Sequence, residues 1–223
     1  ASPMTKRRSS PRPDTGKAPV DRDVAMRDAV LLAALPDVAF DGWTAALLDR
    51  AATRAKIDRA TITRLFPTGV NGLLSHFSDW ADRAMETALL EQPLDDMRVR
   101  DRIAAGVMAR LDALRPYKQA VSAALGRTID PRLGTRLPRH VWRTADLLWW
   151  LAGDTATDWN HYSKRGLLSG VLASTTLYWL ADTSDNHTDT RAFLDRRLDN
   201  VLTAGRTLGR LRDTLGRISA PFN

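Results

Sequence analysis

The strongest constraint on the fold is the helical periodicity of the sequence. From Asp21 onward, apolar residues recur three or four positions apart almost without interruption, which is the pattern of amphipathic α-helices. The strict alternation of apolar and polar residues that marks half-buried strands does not occur in the 223-residue sequence. The sequence therefore predicts an all-α fold.

Proline, glycine and aspartate residues divide this pattern into nine predicted helices. Proline cannot continue a helix, and glycine favours turn conformations, so breaks are expected at Pro36, Pro67-Thr68-Gly69, Pro93 and Asp130-Pro131. The predicted helices span residues 22–35, 43–55, 58–65, 70–91, 96–115, 117–128, 138–152, 158–182 and 188–218. The proline-rich residues 1–20 are predicted to be a disordered leader, of which residues 1–3 are interpreted as a vector remnant.

The net charge of +7 is concentrated at the two ends of the sequence. Residues 1–20 hold five Lys or Arg against one Asp, and residues 191–223 hold seven Arg against three Asp, so residues 21–190 carry a net charge of −1. The basic leader is interpreted as a solvated segment. Attraction to an anionic membrane surface and a short transit peptide are the alternatives.

The residue inventory excludes several classes of catalytic site. Without cysteine, the chain offers no disulfide, thiolate nucleophile or cysteine-ligated metal. Two glutamates are too few for a di-iron carboxylate bundle, and no HExxH, GxSxG or glycine-rich phosphate loop occurs. We therefore expect a protein that is not an enzyme and holds no cofactor or metal; Asp154, Asp158 and His161 are interpreted as capping and surface residues.

The order of helices and turns predicted in residues 21–92 is typical of a helix-turn-helix module. Gly42-Trp43-Thr44 begins one helix, with Ala45, Leu48 and Ala52 on one face, and a turn at residues 56–58 leads to the next. The module resembles the N-terminal domain of TetR-type regulators, whose second helix enters the major groove of DNA. This resemblance implies an all-helical, ligand-binding bundle over residues 93–203.

The charges of this module argue against DNA binding. Proteins that bind in the grooves of DNA need cations that reach phosphates and base edges. The cations of the module are Arg54, Lys56, Arg59 and Arg64. However, Asp49, Asp58 and Asp79 lie among them, and the basic pair usual in TetR regulators is replaced by Ser78-Asp79-Trp80. We interpret the module as structural, and keep a TetR-type, ligand-responsive transcription regulator as the alternative function.

The segment from Trp142 to Arg165 carries the most distinctive motif and four of the seven tryptophans. An apolar helix ends at Gly153, which can take a positive φ after a helix, and residues 154–158 are expected to cap the next helix. No charged residue occurs from Gly166 to Ala181. This run is too short and too rich in Ser, Thr and Gly for a membrane span, so it predicts a helix buried on all sides.

This junction resembles the hallmark of the lipid-binding accessory family of ubiquinone (coenzyme Q) biosynthesis, the ninth of the COQ proteins. The family is itself TetR-like in fold, and the resemblance extends from Gly42-Trp43-Thr44 to Phe193-Leu194-Asp195. His161 departs from the motif, because the family usually has Trp there. The matching residues are Asp146, Ala152-Gly153-Asp154, Thr157-Asp158-Trp159-Asn160, Tyr162 and Lys164-Arg165.

Two successive helices carry a candidate lipid chamber. Small residues at 166, 169, 170, 173 and 174 would let neighbouring helices approach or leave room for a guest. Composition alone favours core packing, whereas the resemblance implies a chamber that holds isoprenoid lipids, that is, ubiquinone precursors. The candidate lining residues are Trp142, Leu148, Trp149, Leu168, Val171, Leu172, Thr175 and Trp179.

The polar junction is a candidate partner surface, because aromatic residues beside arginine are enriched in interface hot spots. The resemblance implies that it docks the di-iron hydroxylase that acts on demethoxyubiquinone. A local structural role is the alternative, with Asp158 as a helix cap and Arg165 in an ion pair with Asp146 or Asp154. The candidate partner residues are Asp158, Trp159, Asn160, His161, Tyr162 and Arg165.

The end of the chain predicts a long amphipathic helix. Its first half is expected to dock on the bundle with Phe193 in the core, and residues 204–223 are expected to contact a membrane surface. A dimer-forming helix and an extended core helix are the alternatives. The candidate membrane residues are Arg206, Leu208, Arg210, Leu211, Leu215, Arg217 and Ile218.

Together with the resemblance, these features predict a lipid-binding accessory protein that presents isoprenoid quinone intermediates to demethoxyubiquinone hydroxylase. An anionic membrane surface and a second copy, in a homodimer, are the other expected partners, and DNA is not expected. The predicted location is the cytoplasmic face of a bacterial inner membrane, with the matrix side of the mitochondrial inner membrane as the alternative.

Overall fold

The computed structural model describes residues 19–129, 137–153 and 159–201, which are helical almost throughout and include no strand. This confirms the predicted all-α fold. The helices are α1 (Pro19–Ala34), α2 (Val38–Asp41), α3 (Ala45–Arg54), α4 (Arg59–Leu65), α5 (Val70–Leu90), α6 (Val99–Leu114), α7 (Lys118–Ile129), α8 (Leu137–Leu151), α9 (Trp159–Ala181) and α10 (188–201).

The first helices differ from the prediction in two places. Helix α1 begins at Pro19, inside the predicted leader, because proline suits the first turn of a helix, where its missing N–H is not needed. Pro36 does not simply end the helical region. It opens a 3₁₀ turn over Leu35–Asp37, which redirects the chain into the unpredicted helix α2, and Gly42 ends α2 with φ of 61°.

The helix-turn-helix module forms as predicted, with capping side chains at both helix starts. The Thr44 hydroxyl accepts a hydrogen bond from the Leu47 amide at 3.2 Å, and the Asp58 carboxylate accepts one from the Thr61 amide at 2.9 Å. Ala45 lies on the same face of α3 as Leu48 and Ala52, as predicted, but this first-turn residue is exposed. The buried residues of α3 are Leu47, Leu48, Ala51 and Ala52.

Trp43 joins this module to the bundle. Its indole Nε1 donates to the Ala120 carbonyl at 3.0 Å, and its own carbonyl accepts from Arg127 at 2.6 Å. The ring is buried and lies 5.4 Å from the Phe77 ring. Helix α7 is therefore tied to the start of α3 through one residue, by its side chain and its backbone carbonyl.

Helices α5, α6 and α8 meet around a glycine and a buried carboxylate. A Cβ atom on Gly106 would lie 2.4 Å from Leu148 Cδ2, so a larger residue there would force the Leu148 side chain to shift at this approach of α6 to α8. The buried Asp82 carboxylate accepts from Arg110 Nε at 2.7 Å and from the Thr144 hydroxyl at 3.0 Å. One carboxylate of α5 thus holds both neighbouring helices.

Helix α10 docks on the bundle in part as predicted. Leu194 and Leu198 are buried, and Arg100 at the start of α6 donates to Asp199 at 2.7 Å and to Asp195 at 3.2 Å. The prediction that Phe193 lies in the core was wrong. Phe193 is half-buried and stacks at 4.5 Å on the ring of Tyr178, which is itself exposed, because none of the described helices covers this side of α9.

Candidate functional site

The hairpin of α8 and α9 carries the predicted lipid and partner residues. Gly153 has φ of 87° and its amide donates to the Trp150 carbonyl at 3.0 Å, which confirms that it ends α8 as predicted. Arg165 Nε donates to Asp146 Oδ1 between the two helices. The ion pair expected for Arg165 is therefore made with Asp146, and because Arg165 is only 4% exposed, its side chain holds the hairpin together.

Seven of the eight predicted lipid residues are buried on α8 and α9, and we call this set the α8–α9 wall. Trp142 is the exception, since it is half-buried and lies over Gly166, where a Cβ atom would be 3.9 Å from its Cζ3. The seven buried residues are Leu148, Trp149, Leu168, Val171, Leu172, Thr175 and Trp179. The structure thus places seven of the eight proposed side chains in the buried core.

Two polar atoms in this wall lack a hydrogen-bond partner within the described part of the chain. They are the Thr175 hydroxyl and the Trp179 indole Nε1, and both residues are 0% exposed. The neighbouring Thr176 hydroxyl, in contrast, donates to the Leu172 carbonyl at 2.8 Å. Buried polar atoms are rarely left without a partner, so these two mark an unusual point in an otherwise apolar wall.

A cluster of polar side chains adjoins Trp179 at the turn from α9 to α10. The Asp182 carboxylate accepts from the amides of Ser184 at 2.7 Å and Thr190 at 2.9 Å. Burial works to raise the pKa of Asp182, but these hydrogen bonds outweigh it and hold the pKa well below its usual range. Asp182 thereby fixes the start of α10 against the end of α9.

His187 belongs to the same cluster. Its ring meets the Trp179 ring edge-on at 6.0 Å, and its Nδ1 lies 3.7 Å from Asp182 Oδ2, without a hydrogen bond in the described residues. Burial, followed by the nearby charge of Lys118, lowers the pKa of His187. The imidazole is therefore neutral at physiological pH, when it can either donate or accept.

The outer face of α9 corrects the prediction of a helix buried on all sides. Gly166, Gly170 and Ala173 face solvent, and Leu177 is 59% exposed. A run without charge cannot reveal which side of a helix is covered, because it has no polar face to mark the outside. Gly166, Gly170 and Ala173 therefore form an uncharged outer strip, whereas Ser169 and Ser174 are half-buried.

The predicted partner residues lie only partly in the described structure. Trp159, Asn160, His161 and Tyr162 occupy the first turn of α9, whereas Asp158 lies outside the described residues. Sequence reasoning missed Trp150, which is 67% exposed at the end of α8 that leads to this turn. The buried face of α8 follows Ala145, Leu148, Trp149 and Ala152, and this spacing is the sequence signal that places Trp150 outside.

Several other predictions lie outside the described residues. These are the seven candidate membrane residues between 206 and 218, together with Asp154, the capping residues 154–158 and the leader 1–18. Among the described helices, none has both the length and the apolar character to cross a membrane. Within the described ranges, no three His, Cys, Asp or Glu side chains group so as to hold a metal ion.

A separate groove of about 580 Å³ opens between α5, α6 and α10. Its floor is made of small and flexible apolar residues on α5 and α6, and its rim includes Arg100, Asp101, Asp112 and Asp195. It contains none of the predicted lipid residues. The floor residues are Ala84, Ala88, Met97, Ala104, Ala105, Met108, Ala109 and Ala113.

The helix-turn-helix module exposes few free cations. Arg64 donates to both oxygens of Asp23, at 2.6 and 3.1 Å, and Arg54 Nη1 lies 2.7 Å from Asp37 Oδ2. Two of the four cations proposed for DNA contact are thus held in ion pairs. Lys56 and Arg59 face solvent.

Comparison with known proteins confirms the resemblance found in the junction motif. A family model, COQ9, matches residues 135–205, which contain α8 and α9. The chain is 29% identical to the ubiquinone biosynthesis protein COQ9, mitochondrial, of Rattus norvegicus over 83% of this chain. It is 27% identical to that of Homo sapiens over 85% and 26% identical to that of Drosophila melanogaster over 96% of this chain.

The alignments cover only part of these relatives. The chain spans 61% of the length of the rat and human proteins and 66% of the fly protein. Among solved structures, a TetR transcriptional regulator from Nitrosomonas europaea matches with a TM-score of 0.62 and 23% identity, over 80% of this chain and 98% of the regulator. This likeness confirms the TetR-like fold.

Proposed function

We propose that the chain is a non-enzymatic accessory protein of ubiquinone biosynthesis that binds isoprenoid quinone intermediates and presents them to demethoxyubiquinone hydroxylase. The observation that carries the proposal is the COQ9 family match over residues 135–205, since these residues hold the buried wall of α8 and α9. A prenyl tail is almost entirely apolar, so burial against such a wall supplies affinity at about 25 cal/mol per Å² without hydrogen bonds.

The direct test is hydroxylation of a demethoxyubiquinone that is embedded in vesicles. Adding the chain to the hydroxylase should raise the rate, because the chain would extract the substrate and present it. With the substrate dissolved in detergent, the added chain should have little effect. A rate with vesicles that is the same with and without the chain would contradict the proposal.

The end of the α8–α9 hairpin is the proposed hydroxylase surface. Trp150 presents a large exposed ring beside the first turn of α9, and tryptophan is among the residues most enriched in interface hot spots. Trp150→Ala and Tyr162→Ala should each weaken hydroxylase capture in a pull-down while leaving the melting temperature unchanged. A large fall in melting temperature with either variant would favour the structural alternative.

The outer strip of α9 is the proposed homodimer contact. If two α9 helices pack antiparallel about a two-fold axis between Gly170 and Ala173, Gly170 faces the partner's Ala173 and Gly166 faces the partner's Leu177. Each large residue then meets a small one, and no charge is buried. Sedimentation should show a dimer for the natural chain and a monomer for Leu177→Asp; an unchanged dimer would exclude this contact.

Residues 204–223 are the proposed membrane contact, through the apolar and arginine residues between 206 and 218. Deleting these residues should reduce flotation with anionic liposomes while keeping the helicity, and unchanged flotation would remove the claim. The mitochondrial names of the relatives support the matrix side of the inner membrane, and the cytoplasmic face of a bacterial inner membrane remains the alternative.

A TetR-type transcription regulator is the second candidate function. The likeness in fold to a TetR regulator favours it, as do the exposed Lys56 and Arg59 at the start of α4. The ion pairs of Arg54 and Arg64 disfavour it, because a paired cation must break its contact before it binds a phosphate.

A further inference from the structure

We infer that the Thr175 hydroxyl and the Trp179 indole N–H form the polar end of a buried ligand site, where they bind the ring oxygens of a quinone or hydroquinone. The inference rests on the proposed lipid-binding function and specifies how the head of the lipid is recognised. It adds two hydrogen-bonding atoms to a wall that is otherwise apolar.

The burial of the two side chains is the first support. Both residues are 0% exposed, yet the Thr175 Oγ1 and Trp179 Nε1 atoms have no hydrogen-bond partner among the described residues. Indole N–H is a donor only, so it requires an acceptor. A valine would fill the space of Thr175 without leaving a polar atom unpaired, and buried polar atoms without a partner are rare enough that each calls for an explanation.

The spacing of the two atoms is the second support. Residues 175 and 179 are four apart on α9, so they lie on the same face of the helix, separated by about 6 Å along its axis. A six-membered ring with several oxygen substituents can accept a hydrogen bond at each end of that span. A prenyl chain alone offers no acceptor.

The fixed orientation of the Trp179 ring is the third support. Lys118 Nζ lies 4.9 Å from the ring centroid and donates to the Asp182 carbonyl at 2.9 Å, so the cation is itself held in place. His187 meets the ring edge-on at 6.0 Å. These contacts hold the indole so that its N–H cannot turn toward another acceptor, and a donor held in advance binds a ligand at a lower entropic cost.

His187 extends the same polar end. Its Nδ1 also has no hydrogen-bond partner in the described residues and lies beside the Trp179 ring. A ring oxygen near Trp179 Nε1 would thus enter a small polar region in which Trp179 and Thr175 donate and His187 either donates or accepts. This arrangement suits both the carbonyls of a quinone and the hydroxyls of its reduced form.

The test compares binding and stability in Thr175→Val, which is nearly isosteric, and Trp179→Phe, which removes the indole N–H together with one ring of the indole. The probes are decylubiquinone, which has a quinone head, and squalene, an isoprenoid without oxygen. Each variant should bind decylubiquinone about tenfold more weakly, the loss of roughly one hydrogen bond, and should bind squalene as the natural chain does. Calorimetric titration in dilute detergent measures both affinities.

The stability of the ligand-free protein supplies a second readout of opposite sign. Thr175→Val removes an unpaired polar atom, so it should raise the melting temperature while it weakens quinone binding. A residue with only a structural role would not do both. If the melting temperature falls, the hydroxyl already has a partner such as an ordered water, and the inference is overturned.

Two matched variants serve as controls because their polar atoms already have partners. The Thr176 hydroxyl donates to Leu172 O, and Trp43 Nε1 donates to Ala120 O. Thr176→Val and Trp43→Phe should therefore leave decylubiquinone affinity unchanged, and Trp43→Phe should lower the melting temperature.

The outcomes separate the two levels of the proposal. If the natural chain binds neither probe, the lipid-binding function fails and the head-group site with it. If the natural chain binds both probes and the two test variants keep full quinone affinity, only the head-group site fails. Equal losses of quinone and squalene affinity would show that the side chains act through packing and would likewise overturn the inference.

Discussion

Helix pairs α3–α4 and α8–α9 are the two places where the sequence suggests an external partner, and they expose opposite kinds of surface. On α3–α4, two arginines that face solvent are held by carboxylates, Arg64 by Asp23 of α1 and Arg54 by Asp37 of the turn before α2, whereas Arg59 faces solvent without a carboxylate pair in the described residues. On α8–α9, the exposed residues include Trp150 and Leu177, with no charged side chain from Gly166 to Ala181.

The difference indicates where this TetR-like fold makes its contacts. A surface whose charges pair within the chain has little to offer a phosphate backbone, which is bound through free Lys and Arg. A strip of exposed apolar residues is an unfavourable surface in water, and its cost is removed when a partner covers it. The comparison therefore favours a structural role for the helix-turn-helix module and a contact role for the tryptophan-bearing pair.

The largest expected effect is a loss of stability when a carboxylate that supports one of the two helix pairs is removed. Asp82 lies beneath α8 and binds Arg110 and Thr144. Asp82→Ala leaves a mostly buried guanidinium without its partner, which should lower the free energy of unfolding by about 3–5 kcal/mol in urea denaturation. Asp23→Ala breaks the exposed pair with Arg64 in the module and should change it little. Similar losses of unfolding free energy in the two variants would contradict the difference described between the two helix pairs.

The next largest effect on stability is expected where α6 lies close to α8. Gly106→Val would push side-chain atoms into Leu148 and should cost about 1–3 kcal/mol of unfolding free energy. The matched control is Gly170→Ala on the outer strip, where nothing lies within 4 Å of the new Cβ. It should be neutral or slightly stabilising in the monomer, since alanine favours helix over glycine. Equal destabilisation by both would contradict the packing described.

Helix anchoring by carboxylates gives a smaller, pH-dependent effect. Because the pKa of Asp182 is lowered in the folded state, its contribution is complete above its unfolded pKa of about 3.9 and is lost as the pH falls through the lower, folded value. Asp182→Asn should therefore lower stability by about 1–3 kcal/mol between pH 5 and 8, and the difference from the natural chain should shrink below about pH 4.

The control for this experiment lies in the module. Asp58 caps α4, and hydrogen bonds from Thr61 lower its pKa. Asparagine caps a helix as well as aspartate, so Asp58→Asn should leave stability nearly unchanged at neutral pH. A difference between Asp182→Asn and the natural chain that stays constant down to pH 2 would show that the charge of Asp182 is not what matters.

The smallest expected effect is on the binding of nucleic acid. At physiological salt the natural chain should not retard random duplex DNA. Replacing Asp23 and Asp37 together with Asn frees Arg64 and Arg54 and should produce weak retardation, which salt abolishes with a slope of about 0.9 per freed cation. Strong, salt-steep retardation by the natural chain would overturn the assignment of a structural role to α3–α4.

Much of the fold could be predicted from the sequence, because its signals are local. The cap residues Thr44 and Asp58 set the starts of α3 and α4, and Gly153 sets the end of α8. Helix α2 was missed because it is one turn long and follows a proline that redirects the chain. The sequence also could not predict which side of α9 is buried, because a run without charges has no polar face that marks the solvent side.

The candidate site likewise has features that the sequence predicts and features that it does not. Spacing and resemblance identified seven buried residues of α8 and α9 and the ion pair of Arg165, and the spacing on α8 also contains the signal for an exposed Trp150. The unpaired state of Thr175 and Trp179 could not be predicted, because it depends on which atoms α6, α7 and α10 bring near α9. The groove between α5, α6 and α10 was missed for the same reason, since its alanines resemble ordinary core positions in sequence.

Lipid binding by the α8–α9 wall is the central claim, and organic extraction of the purified chain followed by mass spectrometry tests it most directly. The account predicts a prenylated quinone or quinone precursor in near-stoichiometric amount, reduced in Thr175→Val and Trp179→Phe. Repeated recovery of protein with no bound isoprenoid, from cells that make ubiquinone, would contradict it.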